Sequence, residues 1–310
     1  MSFTTEIKSE ISQNELKPCC TRAQLSALIQ LNATLAISNQ SYQLIIKTEN
    51  PTTAKRIWIL LKERYQVTCE LSIIKKMKLK KNNVYVIKVM AKVKEILEDV
   101  GLWTSLGLSD RPTRSIVAKD CCARAYLAGA FLASGSINNP TKTNYHCEIA
   151  THDEKHAIFI SKLMHRFELP AKVVPRRQQQ VVYLKASDKI SDFLRATGAI
   201  DALMKFEDIR IQRDFRNSLT RLDNCEVANE VKTQQAASRQ IDDIIKIQQS
   251  GRFESLEEKL KEVALLRIDN PDASLNELSD VYEEQSGTVM SKSGMKHRFN
   301  KLHEIASHIK

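Results

Sequence analysis

The chain has 310 residues, 42% hydrophobic and 27% charged, which is typical of a globular protein with room for two or three domains. Its formal net charge of +10 at pH 7 favours a polyanionic partner. No apolar run approaches the roughly 20 residues that a membrane span needs, and the acidic first ten residues do not resemble a signal peptide. We therefore expect a cytoplasmic protein with no membrane partner, no cofactor and no small-molecule substrate.

The basic excess is confined to the first two thirds of the chain. Residues 1–204 contain 30 Lys and Arg against 18 Asp and Glu, whereas residues 205–310 contain 17 against 19. A surface that binds a polyanion through its overall charge is therefore expected in the first part.

The seven cysteines include two adjacent pairs, Cys19–Cys20 and Cys121–Cys122, and no Cys-x-x-Cys spacing. The number is odd and the spacing fits no disulfide scaffold. We expect reduced, mostly buried thiols, and we predict neither a zinc site nor any other metal site.

The chain repeats itself at an offset of about 102 residues. The segment CCTRAQL at 19–25 matches CCARAYL at 121–127, and weaker matches follow in the same order along both copies. This shared order predicts a duplicated unit of about 90 residues, with copies at about 15–103 and 117–204.

In each copy the spacing of apolar residues predicts the same order of helices and strands. A helix is followed by an alternating stretch, an amphipathic helix, a hairpin and a closing helix, with Asn82–Asn83 as the hairpin turn of the first copy. The predicted fold class is α+β, with an αββαββα unit present twice. The predicted helices lie at 19–32, 52–65 and 90–100 in the first copy and at 121–134, 153–167 and 187–197 in the second.

The first helix of each copy carries a stripe of small residues. Ala125, Gly129 and Ala133 lie four residues apart, as do Ala23 and Ala27. Small side chains allow two helices to approach more closely than the usual ~8–10 Å between axes. The pattern predicts that the two helices pack on each other about a pseudo-twofold axis.

The segment LAGAFLASG at 127–135 resembles the LAGLIDADG motif of homing endonucleases. The resemblance implies a saddle whose concave β-surface lies on DNA, with a metal-binding acid at the eighth motif position. That position is Ser134 here, and Asn32 in the first copy. Because neither side chain carries a charge, we expect the nuclease chemistry to be lost and assign no catalytic residue. Glu148 and Asp120 are alternative carboxylates, but neither ends the motif helix.

A basic strand is predicted within 73–83. Lysines alternate there with Met77 and Leu79, so they share one face of the strand. Two arginines occupy the corresponding place in the second copy. This surface either contacts the DNA backbone or is a solvated face that protects a sheet edge. The candidate contacts are Lys76, Lys78, Lys80, Arg176 and Arg177.

Residues 205–251 are polar and contain no proline, which predicts a helical linker. Arg210, Arg213 and Arg216 recur at every third position. They are interpreted either as part of a solvated helix or as an arm that touches phosphates.

Residues 252–310 predict three helices. Ser274 and Glu277 have capping-box spacing at the second, and Met295 and Phe299 begin the buried stripe of the third. Two short helices followed by a helix with a polar exposed face are typical of a DNA-binding helix-turn-helix, although protein-binding modules of three helices look similar. The candidate DNA-binding residues are Ser274, Asn276, Ser291, Lys292, Ser293, Lys296, His297, Arg298, Asn300 and Lys301. His297 and His303 face different sides of their helix, so they predict no metal site.

The duplicated domain, the segment at 216–244 and the last two helices together resemble the WhiA family of bacterial transcription factors, from Ser2 to Ile305. The resemblance implies a degenerate LAGLIDADG domain, a C-terminal helix-turn-helix, and a role in sporulation, cell division or chromosome segregation. Two features depart from the family pattern: the motif ends in Ala-Ser-Gly rather than a glycine pair, and the turn at Glu283–Met290 is long.

The sequence therefore predicts a non-enzymatic, sequence-specific transcriptional regulator at the nucleoid. Its expected partner is double-stranded DNA, and the saddle binds either DNA or another regulatory protein. An active homing endonuclease and an RNA-binding maturase are the alternatives.

Overall fold

The computed structural model describes residues 2–38, 41–75, 83–142 and 144–309. The chain forms two compact units, residues 1–214 and 215–310. Within the described residues, no helix is both long and apolar enough to cross a membrane.

The first unit contains the two predicted copies of αββαββα, so the expected fold class is confirmed. A short helix, α1 (Phe3–Gln13), precedes them. The first copy consists of α2 (Pro18–Asn32), β1 (Ala33–Ser38), β2 (Ser41–Thr48), α3 (Pro51–Tyr65), β3 (Cys69–Lys75), β4 (Asn83–Val89) and α4 (Val93–Asp99). The connection contains β5 (Trp103–Thr104), β6 (Gly107–Leu108) and a 3-10 turn at Arg114–Val117. The second copy consists of α5 (Asp120–Ser134), β7 (Gly135–Ile137), β8 (Cys147–Thr151), α6 (Glu154–His165), β9 (Lys172–Arg176), β10 (Gln179–Leu184) and α7 (Ser187–Thr197).

Local sequence signals explain several helix starts. Pro18 and Pro51 occupy the first turns of α2 and α3, where a missing N–H costs no hydrogen bond. The Asn50 side chain accepts from the N–H groups of Thr52 and Thr53, and Asp153 caps α6 in the same way.

Each copy folds its strands into one antiparallel sheet. The strand orders are β1-β2-β4-β3 and β7-β8-β10-β9, so the two sheets have equivalent topologies. Leu44 and Ile46 are buried on the core face of β2, and Ile149 occupies that face of β8. The alternate residues face away from the core.

The paired helices α2 and α5 form the centre of the first unit. A Cβ atom on Gly129 would lie 2.6 Å from the carbonyl oxygen of Gln24 and 3.0 Å from the Cβ of Ala27. The backbones are therefore too close for any larger residue at that position. The predicted packing of two small-faced helices is confirmed.

One long helix, α8 (Ile200–Gln249), contributes to both units. Phe206 is buried in the core of the first unit, whereas Ile244 and Ile247 are buried in the core of the second. The sequence places a domain boundary at 204 and a linker over 205–251. The structure instead divides the chain after Asp214, because apolar residues near both ends of this stretch pack into a core.

The second unit is all helical. A 3-10 turn at Phe253–Ser255 precedes α9 (Glu258–Asp269), α10 (Leu275–Ser286) and α11 (Lys292–Ser307). The buried Arg267 joins α9 to the start of α10: its guanidinium donates to the carbonyl oxygens of Asn270 and Ala273, at 3.2 and 2.6 Å. Its Nε also donates to Gln240 Oε1 at 3.0 Å.

Candidate functional site

The start of α11 is held by its own polar side chains. Ser291 is the N-cap residue, and its Oγ accepts from the N–H of Gly294 at 3.2 Å. The hydroxyls of Ser291 and Ser293 lie 2.9 Å apart. Ser291, Lys292 and Ser293 are all exposed, so this helix end is open to a ligand.

Burial divides α11 into two faces. Met295, Phe299 and Leu302 are buried in the core of the second unit, as their spacing predicts. Lys296, His297 and Asn300 are exposed on the opposite face. This arrangement leaves two good hydrogen-bonding groups, an ammonium and an amide, directed away from the core.

Two of the candidate DNA-binding residues on α11 are engaged within the protein. Arg298 is half-buried, and its guanidinium contacts the Met290 sulfur. The Nζ of Lys301 lies 3.5 Å from the Glu257 carboxylate. Both side chains must leave these partners before they can bind a phosphate.

The helix before α11 begins with the predicted capping box. Ser274 Oγ accepts from the N–H of Glu277 at 3.3 Å, and the Glu277 carboxylate accepts from the N–H of Ser274 at 2.6 Å. The bond from the Ser274 backbone lowers the pKa of Glu277. Asn276 is exposed beside it. Gly287, with a φ of 67°, ends α10, and the connection to Lys292 is longer than the three to four residues of a common helix-turn-helix.

The eighth motif positions lie at the ends of the two central helices. Ser134 is the last residue of α5, and its hydroxyl donates to the carbonyl oxygen of Ala150 at 2.6 Å. Asn32 ends α2, and its Nδ2 is buried without a hydrogen-bond partner among the described residues. Neither side chain offers a charged ligand to a metal ion.

A cavity of about 660 Å³ lies beside Asn32. Lys8 and Lys47 line it, and Glu49 is the only acid among the described residues of its wall. Burial lowers the pKa of Lys8 to about 8. Two lysines against one carboxylate do not form the acidic environment that a hard divalent cation needs.

The two alternative carboxylates are engaged elsewhere. Glu148 Oε2 lies 3.0 Å from His146 Nε2 and 3.4 Å from Arg176 Nη1. Asp120 forms an ion pair with Arg166 at the start of α5, the opposite end from Ser134. The structure therefore brings no carboxylate pair to the ends of the motif helices within its described parts.

The predicted basic surface lies only partly within the described residues. Lys76, Lys78 and Lys80 lie outside them, as does Asn82 of the predicted turn. Arg176 and Arg177 are exposed at the β9–β10 turn, where Arg177 has a φ of 57°.

The arginines of α8 do not form one uniform stripe. Arg210 pairs with Glu207 at 2.6 Å, and Arg213 donates to the carbonyl oxygens of Pro140 and Lys142. Arg216 is exposed. Two of the three guanidiniums are thus engaged in contacts within the first unit.

The two cysteine pairs converge, which the sequence pattern did not predict. The Sγ atoms of Cys19, Cys20, Cys121 and Cys122 all lie within 4.8 Å of one another. The absence of a Cys-x-x-Cys spacing therefore does not exclude a metal site, because the fold supplies the proximity. The signal was present in the sequence, since the pairs occupy equivalent positions on two helices expected to pack together.

Three family models match successive parts of the chain. The WhiA N-terminal LAGLIDADG-like domain matches residues 18–103, the WhiA LAGLIDADG-like domain matches 123–216, and the WhiA C-terminal HTH domain matches 219–306.

Relatives and a solved structure match over nearly their whole lengths. A probable cell division protein WhiA from Bacillus cytotoxicus is 45% identical over 311 residues, covering 100% of this chain and 98% of the relative. The protein of the same name from Bacillus pumilus is 44% identical with the same coverage. The crystal structure of full-length DUF199/WhiA from Thermatoga maritima superposes with a TM-score of 0.61 at 22% identity, covering 100% of this chain and 99% of the other. The order of the matched domains and the full-length identity establish that this chain belongs to the WhiA family.

Proposed function

We propose that this protein is a sequence-specific DNA-binding regulator without nuclease activity, acting at the nucleoid in cell division, chromosome segregation or sporulation. The observation that carries the proposal is the exposed polar face of α11 within a helix-turn-helix domain. The printed names of the relatives, probable cell division proteins, support the cellular role.

The exposed polar residues in the first half of α11 contact the bases in the proposed complex. Lys296 donates to guanine O6 and N7, and Asn300 pairs with adenine through its amide. His297 and Ser293 lie on the same face, within reach of the same groove. The open N-terminus of α11 at Ser291 suits a phosphate at the groove wall, because its first N–H groups point outward.

The remaining polar residues of the second unit position the duplex. Lys292 is exposed in the first turn of α11, next to the proposed phosphate. Arg298 and Lys301 bind backbone phosphates once they release Met290 and Glu257. Ser274 and Asn276 are at the start of α10, which corresponds in the proposed complex to the first helix of a helix-turn-helix, the one that crosses the DNA backbone.

Competition binding at fixed salt tests the sequence-reading role. Full-length protein first selects its preferred duplex from a randomised pool, and random duplex and structured RNA then compete for it. Asn300→Ala and Lys296→Ala should each reduce the preference for selected DNA by about 1–3 kcal/mol, the value of one good base contact. Affinity for random DNA should hardly change, because the basic excess lies in residues 1–204.

The matched control is Lys259→Ala, which removes the same charge from an exposed position on α9. It should keep the wild-type preference. If Asn300→Ala and Lys296→Ala also keep it, the outer face of α11 does not read sequence. If structured RNA competes as well as selected duplex DNA, the proposed ligand class is wrong.

The absence of nuclease activity is proposed from the uncharged residues at the ends of α2 and α5. Supercoiled DNA incubated with the protein and Mg²⁺ or Mn²⁺ should remain intact. Metal-dependent nicking that survives repurification and disappears in Glu49→Gln or Glu148→Gln would overturn this part of the proposal.

A further inference from the structure

Four cysteine side chains converge where the two central helices begin. Cys19 and Cys20 lie in the first turn of α2, and Cys121 and Cys122 in the first turn of α5. The sulfur atoms within each pair are 4.0 Å apart, and all four lie within 4.8 Å of one another. The cluster lies entirely within the first unit.

These distances are close to those of a tetrahedral thiolate site. With Zn–S bonds of about 2.3 Å, the sulfur atoms of a regular tetrahedron are roughly 3.8 Å apart. The two intrapair distances exceed that value by about 0.2 Å, and a separation of 4.8 Å exceeds it by about 1 Å, so side-chain rotations must bring the two pairs closer together.

Packing alone does not account for the cluster. Cys20 and Cys122 are buried, as expected of small apolar side chains, but Cys121 is exposed and Cys19 is half-buried. The exposed sulfur gives a metal ion a route from solvent to the buried ones. The adjacent cavity of about 570 Å³ is lined by Cys20 and Cys121.

The N-terminus of one central helix lies at each cysteine pair. Neither N-cap residue, Lys17 or Lys119, makes a side-chain capping bond within the described structure, and a helix N-terminus favours a thiolate over a thiol. Asp120, the acid in the first turn of α5, is paired with Arg166.

The internal duplication supports a shared role for the two pairs. The copies match weakly along most of their length, yet both retain Cys-Cys at the same positions of the same helix. The three remaining cysteines, Cys69, Cys147 and Cys225, lie outside the cluster. The thiols are thus paired across the pseudo-twofold axis, where one ion can bind both halves.

We propose that Cys19, Cys20, Cys121 and Cys122 bind one zinc ion that joins the two repeats. Four thiolates in tetrahedral arrangement select Zn²⁺ among the hard and borderline divalent ions, and a site with four protein ligands leaves no open position for catalysis. On binding, each thiol that is still protonated releases its proton to solvent, and no atom changes oxidation state.

Metal content of the full-length protein tests the site. Protein purified under reducing conditions without chelator should contain one zinc per chain, and so should the control Cys225→Ser, which removes an exposed cysteine outside the cluster. Cys19→Ser/Cys121→Ser should contain none. Cys121→Ser alone changes the exposed ligand and should weaken zinc binding by more than the roughly 10–100-fold that loss of an outer hydrogen-bond partner costs.

Cobalt uptake by the unmodified chain gives a readout that does not depend on any variant. After chelator treatment, added Co²⁺ should produce the strong visible d–d bands of tetrahedral cobalt and a sulfur-to-cobalt charge-transfer band. Failure of the wild-type protein to retain zinc and to show these bands would overturn the proposal. So would bound iron in place of zinc, or non-reducing peptide mapping that finds a disulfide between the two cysteine pairs.

Discussion

Replacing Gly129 by alanine tests how tightly the two central helices are packed. The added Cβ would lie 2.6 Å from the Gln24 carbonyl oxygen, whereas ordinary contact begins near 3.4 Å. The two helices must therefore move apart by about 0.8 Å. The obstructing atom belongs to the backbone of α2, so it cannot move aside as the end of a flexible side chain would. Overpacking of this kind typically costs about 1–3 kcal/mol.

Alanine also favours the helix over glycine by about 1 kcal/mol, which offsets part of that cost. The expected net loss is about 0–2 kcal/mol of unfolding free energy, with a central value of about 1 kcal/mol. With a urea dependence of about 2 kcal/mol per molar, the midpoint should fall by about 0.5 M, and by at most about 1 M. Tryptophan fluorescence measures this in the first unit alone, because both tryptophans, Trp58 and Trp103, lie there.

Gly294→Ala is the matched control within another helix. The nearest atoms to its added Cβ lie at 3.5 Å, an ordinary contact, so only the gain in helix propensity remains. Calorimetry should show the second unit stabilised by up to about 1 kcal/mol. If Gly129→Ala raises the urea midpoint of the first unit instead of lowering it, the close approach of α2 and α5 does not limit that position.

Three further variants test other parts of the chain. Burial lowers the pKa of His156 to about 4 from its usual 6.5, so the unfolded state binds more protons than the folded state between these pH values. The free energy of unfolding should therefore fall by about 2 kcal/mol from pH 7 to pH 5. His156→Gln should remove this pH dependence in urea titrations. Arg267→Leu leaves buried carbonyl groups unpaired and should cost the second unit about 3 kcal/mol by calorimetry, with tryptophan fluorescence of the first unit unchanged. Changing Arg176 and Arg177 to alanine should flatten the dependence of log affinity for DNA on log salt by about 0.9 for each phosphate that the protein no longer neutralises; an unaltered slope would mean that this turn does not touch DNA.

Much of the fold could be predicted because its signals are local or repeated. The spacing of apolar residues and the similarity between the two repeats predicted both αββαββα copies. The small residues around Gly129 indicated which helices pack together. The buried stripe through Met295 and Phe299 likewise determined the face that α11 buries.

The features that sequence reasoning missed depend on contacts between distant positions. Cys19 and Cys121 are brought together only by the pairing of their helices. Arg267 has no sequence pattern that distinguishes it from an exposed arginine, although its guanidinium is buried among backbone carbonyls. The boundary between the two units after Asp214 could not be predicted either, because the chain contains no glycine or proline between Ile200 and Gln249 that would mark it.

The two sheets share one topology but differ in the chemistry of their open faces. The strand β2 places Ile45 and Lys47 on that face, and the equivalent positions of β8 are Glu148 and Ala150. The first sheet therefore has a lysine where the second has alanine, and the second has a glutamate where the first has isoleucine. The strand order of the two sheets is nevertheless the same. A twofold-symmetric ligand laid across both sheets would meet two unlike surfaces. The internal repeat is therefore kept in the backbone of the two sheets but not in the charge that their open faces carry.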